Sequence, residues 1–129
     1  MERGRLLVEG RAVGPGEVAR SFRDRSRGLL GRDGVEGALL IRPGSSIHTF
    51  GMRFDLDVAY LDADLRVLRA AATPRNRLGP LVRRTRAVLE AEAGAFARWG
   101  LRAGDRIEVA PAKGTAGDGT GDGGGDRGR

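Results

Sequence analysis

The sequence predicts a mainly β fold of the α+β kind, a compact sandwich or barrel of six to seven short strands with two short helices. Three observations predict it. The apolar runs, such as Leu6-Leu7-Val8 and Ala38-Leu39-Leu40-Ile41, have the length of strands and are too short for helices. Glycine, proline and aspartate close these runs, as turns do. Only two stretches, after Ser21 and after Gly94, carry the start and stop signals of a helix.

Arg5 to Glu9 is the first strand, and Arg11 to Val13 pairs with it across Gly10. Ser21 reads as a helix N-cap with Asp24 three residues on, an acidic variant of the capping box. Phe22, Leu29 and Leu30 then share one side of a short helix that stops at Gly31. Arg20, Arg23, Arg27 and Arg32 decorate that helix as a solvated face, with an anion-facing patch near Gly28 to Arg32 as the sharper reading. Gly37 to Arg42 is a continuous apolar run ended by Pro43-Gly44, the pattern of a buried strand.

The segment from Ile47 to Asp64 holds the only histidine, the only tyrosine and two of the four phenylalanines. Strand parity over its first half puts Ile47, Thr49 and Gly51 on one side. His48, Phe50, Met52 and Phe54 fall on the other. Gly51 marks a bulge or a close backbone approach. Leu56 to Leu61 continues as strand, and Asp62-Ala63-Asp64 turns the chain into Arg66 to Ala70, a hairpin. Pro74 and Pro80 bracket a loop. Ala87 to Ala93 is the next strand, Ala95 to Trp99 a helical turn closed by Gly100, and Asp105 to Ala110 the last strand. Met52, Phe54 and Trp99 are expected in the core.

These elements make one domain over residues 1–112. From Lys113 the chain reads KGTAGDGTGDGGGDRGR, with no apolar residue larger than alanine, and it is expected to be a disordered Gly/Asp-rich tail. A chain without cysteine has no disulfide, thiolate nucleophile or cysteine-based zinc site, and it fits a reducing compartment. No run approaches the ~18 apolar residues of a membrane span, and Leu6-Leu7-Val8 is too brief for a signal-peptide core. A cytoplasmic monomer without membrane attachment is expected.

The net charge of +6 invites a nucleic-acid reading. Lys113 is the only lysine among 23 basic residues, however, and arginine, glycine and alanine rise together as GC-rich coding produces. The arginines alternate with carboxylates, and the few aromatics sit at core positions, so nucleic acid is not the expected partner.

Segments Arg27-Gly-Leu-Leu-Gly-Arg32, His48-Thr-Phe-Gly-Met-Arg53, Leu56-Asp-Val-Ala-Tyr-Leu-Asp62 and Val88-Leu-Glu90, followed by Ala93-Gly94 and Gly104-Asp105, come in this order. Together they resemble the family called domain of unknown function 192, over most of the folded part. The resemblance implies a compact mainly β fold and no established activity. Its pattern maps onto Gly28, Leu29, Arg32, Phe50, Met52, Asp57, Glu90, Gly94, Gly104 and Asp105. The chain departs from it at Asp55, Leu65 and Glu92, and Leu65 stands where a turn glycine is common.

His48 is the first candidate for acid/base work but is alone, with no second histidine or cysteine to build a metal site. Asp57 interrupts an apolar strand, so burial obliges it to pair, with Arg53, Arg32 or Arg66, or to cap loop amides. No serine lies in a nucleophile elbow, and no glycine-rich stretch matches a nucleotide fingerprint. No metal or cofactor is expected. The leading expectation is a non-enzymatic binding or accessory module for a small polar or anionic ligand such as a sugar. Its candidate site is a cleft edged by Arg32, His48, Met52, Arg53, Asp57 and Glu90. The alternatives are a hydrolase using Asp57 and Glu90 as a carboxylate pair about 5 to 10 Å apart, assisted by His48, and weak arginine-driven nucleic-acid binding.

Overall fold

A computed structural model describes residues 1–112; the Gly/Asp-rich segment from Lys113 lies outside the described residues. The chain order is β1 (Glu2–Val8), β2 (Arg11–Ala19), α1 (Phe22–Arg27), β3 (Ala38–Ile41), β4 (Leu56–Leu61), β5 (Val67–Thr73), β6 (Ala87–Glu92), α2 (Ala95–Trp99) and β7 (Ile107–Pro111). All seven strands form one mixed sheet in the order β5-β4-β6-β3-β2-β1-β7. Only the β2–β3 pair is parallel, and α1 lies in the crossover between them.

The sheet curls until its two edge strands meet at one corner. Val67 N–H donates to Asp105 O at 2.8 Å and Ile107 N–H to Leu65 O at 2.9 Å, beside an isolated Arg66–Arg106 bridge. Gly104 N–H also donates to Val67 O at 2.8 Å, but β5 and β7 are not paired along their length, so the sheet is not a closed barrel, and the sandwich-like α+β form of the prediction fits.

Both faces of the central strands are covered. On one face Leu40, Ala59, Leu61 and Leu89 pack with Phe96 of α2. On the other Leu39, Val58, Tyr60 and Val88 pack under Leu29, Ile47 and Met52. That is why β3, β4 and β6 are buried along nearly their whole length and are mainly apolar, whereas β7, at the edge, exposes Glu108 and Pro111. The polar exceptions in these double-buried strands, Asp57 and Glu90, therefore stand out. None of the described helices is long and apolar enough to cross a membrane.

The hairpin β4–β5 turns where expected, and Leu65 takes φ +63° there, the left-handed conformation that glycine adopts without strain. Ser21 caps α1, its Oγ accepting from Asp24 N–H at 3.0 Å. The helix ends earlier than expected, with Gly28 rather than Gly31 as C-cap at φ +52°. This early stop breaks the predicted shared face. Leu29 turns into the core, whereas Phe22 is 77% exposed.

The largest departure is at Ile47–Phe54, which is not a strand of the sheet. Its polar groups are taken up by the Pro74–Pro80 loop instead. Thr49 N–H donates to Arg77 O, Asn76 N–H donates to Thr49 O, and the buried Thr49 hydroxyl donates to Pro74 O at 2.6 Å. A turn at Phe50-Gly51, with Met52 N–H reaching back to Thr49 O, then shifts the parity. Met52 points inward, and His48 and Phe50 are left outside, their rings stacked at 5.5 Å.

Candidate functional site

Where α1 ends, the chain crosses the outer face of the sheet and leaves a cleft of about 310 Å³ beneath it. Gly28, Leu29 and Leu30 form one wall, Ser46, Ile47, His48 and Met52 the other. Ile41 of β3 and Glu90 of β6 lie between them, and Arg25 and Arg27 stand beside the opening. The early helix stop builds this shape. A Cβ on Gly28 would come within 3.3 Å of Glu90 Oε1, so glycine keeps the approach to the carboxyl open.

Glu90 is the unusual group of the cleft. It is only 6% exposed, between Leu39 of β3 and Val58 of β4 in the sheet register. No hydrogen bond or ion pair to another described residue offsets its burial, which pushes the carboxyl up to about 7. A carboxyl held this way is about half protonated near pH 7 and, in its neutral form, can donate as well as accept a hydrogen bond. On the same face the Tyr60 hydroxyl is also buried without a partner among the described residues, and burial raises its pKa.

The expected site residues divide into two groups. His48, Met52 and Glu90 meet at the cleft. Arg32, Arg53 and Asp57 do not line it, each being engaged elsewhere, and this corrects the predicted cleft edge. Arg32 makes a two-pronged pair with Glu17, at 2.8 and 3.0 Å. Arg53 pairs with Asp33 at 3.0 Å on the surface. Asp57 takes the capping role among the alternatives for it. Its Oδ2 accepts from Gly94 N–H and Phe96 N–H, both at 3.0 Å, at the start of α2.

The carboxylate-pair hydrolase loses its geometry for the same reason. Val58 is the residue opposite Glu90 in the β4–β6 register, so Asp57 projects from the other face of the sheet. The pair cannot flank one bond of a substrate. Among the described residues there is also no group of three or more His, Cys, Asp or Glu side chains placed to hold a metal ion.

Sequence reasoning missed Arg25, Ser26, Ser46 and Ile41 as cleft residues. The available signal was the anion-facing patch near Gly28, next to the arginines of α1. What it lacked was the crossing of the Ser46–Met52 segment over the same point, a contact distant in sequence.

The pairing of Arg32 with Glu17 is structural, and its prediction separates it from the cleft. Arg32 holds the Glu17 carboxyl below the usual carboxylate range. The stabilisation is therefore present above that range and lost as the pH falls through the lowered value. Arg32→Ala is expected to lower stability by about 1 kcal/mol at pH 7 and by little in acid, by chemical denaturation, without altering ligand-induced shifts.

A family model for domain of unknown function 192, described as Uncharacterized ACR, matches residues 8–109. Two solved structures are similar. One is a protein of unknown function from Novosphingobium aromaticivorans DSM 12444, 26% identical, with a TM-score of 0.67 over 81% of this chain and 83% of that one. The other is described as a putative transcription regulator from Sinorhizobium meliloti 1021, 24% identical, with a TM-score of 0.67 over 84% of this chain and 92% of that one. At that identity the second likeness speaks for the fold alone. No curated protein matches.

Proposed function

The chain belongs to the domain of unknown function 192 family, which is uncharacterized, and from its cleft we propose a binding or accessory module for a small polar or anionic ligand such as a sugar. The observation that carries this reading is Glu90, a carboxyl 6% exposed that lines the cleft with no hydrogen-bond or ion-pair partner among the described residues. Burying an unpaired polar group is unfavourable by roughly 1 to 3 kcal/mol. A ligand hydroxyl would supply the missing hydrogen bonds. Leu29, Ile41, Ile47 and Met52 give the apolar surface that packs against carbon–hydrogen faces, and about 310 Å³ suits a monosaccharide-sized ligand.

Thermal shift against a panel of neutral sugars and small acids tests the reading. A ligand at 100 times its Kd adds about 2.7 kcal/mol, a rise of roughly 10 °C in Tm. The rise is expected in the native protein and absent in Glu90→Leu, which removes the carboxyl and keeps an apolar side chain in its place. Stabilisation by no member of the panel, or equal stabilisation of both proteins, would count against the cleft.

A further inference from the structure

Arg25 and Arg27, which line the cleft, have no carboxylate partner among the described residues, like most arginines there; Arg20, Arg32, Arg53 and Arg75 are the ones that have one. Their hydrogen bonds go to backbone carbonyls instead. Arg25 Nε donates to Arg20 O at 3.1 Å and Arg27 Nε to Leu30 O at 3.5 Å. Such bonds orient a guanidinium without neutralising its charge. Ser26 and Ser46 also line the cleft. One site thus combines an unpaired, nearly buried carboxyl, two un-neutralised cations and an apolar wall.

Resting on the cleft reading above, we propose that the ligand is a small anionic polyol, a monosaccharide bearing a carboxylate or a phosphate. Its hydroxyls meet Glu90, and its charged group meets Arg25 and Arg27. Three features choose this class over its neighbours. A neutral sugar would leave both guanidinium charges without a counterpart. An amine would find a carboxyl at Glu90 but would have to lie close to two positive charges, a like-charge placement that disfavours it. A bare anion would satisfy the arginines and leave Glu90 unpartnered. Neither guanidinium makes a hydrogen bond or ion pair with Glu90, so the carboxyl and the two arginines stand as separate points of contact along the cleft. A ligand that serves both therefore needs a hydroxylated part and an anionic part.

Titration calorimetry at low salt with glucose, glucosamine, glucuronate, glucose 6-phosphate and inorganic phosphate makes the comparison on one scaffold. Glucuronate or glucose 6-phosphate is expected to bind at least about tenfold tighter than glucose, the worth of one charge-assisted contact. The double variant Arg25→Ala/Arg27→Ala is expected to remove that preference while weak glucose binding persists, and Glu90→Leu to abolish sugar binding. Glucose or glucosamine binding as tightly as the acids, in a Glu90-dependent way, would overturn the anionic polyol and leave the cleft reading standing. Inorganic phosphate binding as tightly as glucose 6-phosphate would overturn it too, reducing the site to an anion contact. Binding of no sugar at all would remove both readings.

Discussion

Raising the pH from about 5 to about 8 is expected to lower the stability of the native protein, and Glu90→Gln to abolish most of that loss. Burial raises the Glu90 carboxyl from 4.5 to about 7 in the folded protein. The folded state therefore binds the proton more tightly than the unfolded chain. Stability from this group is complete below about 4.5 and declines as the pH rises through about 7, after which the deficit is constant. The interval between 4.5 and about 7 corresponds to about 3 kcal/mol, at ~1.4 kcal/mol for each pH unit. Glu17 and Asp62 have lowered values, so their contributions fall in a more acid range. Urea denaturation of native protein and Glu90→Gln across this range measures the difference directly. Parallel profiles would mean that the carboxyl finds a partner in solution. The same physics predicts that Glu90→Leu is at least as stable as the native protein at pH 8, so its loss of binding cannot be blamed on unfolding.

Asp57→Ala is expected to destabilise the protein by about 3 kcal/mol, the sum of two charge-assisted hydrogen bonds lost at a buried site. The carboxylate is 8% exposed and holds the amides of Gly94 and Phe96, which no other described side chain reaches. Losing it leaves two donors unpaired beside the core. It also frees the start of a five-residue helix whose Ala95 and Phe96 are buried against the sheet. For a domain of this size the effect is roughly a 10 °C fall in Tm. Asp57→Asn keeps one acceptor and falls between the two. Thermal denaturation measures the loss, and ligand affinity of the remaining folded protein is expected to be unchanged. A fall in affinity without a fall in Tm would place Asp57 in the ligand site after all.

The elements that could be read from the sequence are those whose signals are local. The Ser21 cap, the β4–β5 hairpin, β6 and the α2 turn closed by Gly100 all rest on residues within a few positions of one another. The Ile47–Phe54 segment has equally strand-like parity, yet it is a loop, because its backbone groups bond to residues more than twenty positions away. The same distance hid Arg25 and Ser46 from the site. It also split the expected carboxylate pair. Asp57 and Glu90 are both conspicuous in apolar strands, but which face each one occupies depends on a register that no local pattern states.

Sequence alone determined the class of fold, a range of six to seven strands with two short helices, the family resemblance, and Asp57 and Glu90 as the candidate carboxyls, Asp57 being the one that burial would oblige to pair. Those follow from hydrophobic periodicity and turn chemistry, which act over a few residues. Pairing and crossing of distant segments decided everything that separates the two carboxyls. One is spent on the amides of α2, and the other lies at a cleft that exists only because the end of α1 and the Ser46–Met52 loop pass over the same face of the sheet. A buried charge takes its character from whatever partner the fold brings within hydrogen-bond reach, and that partner is set in three dimensions.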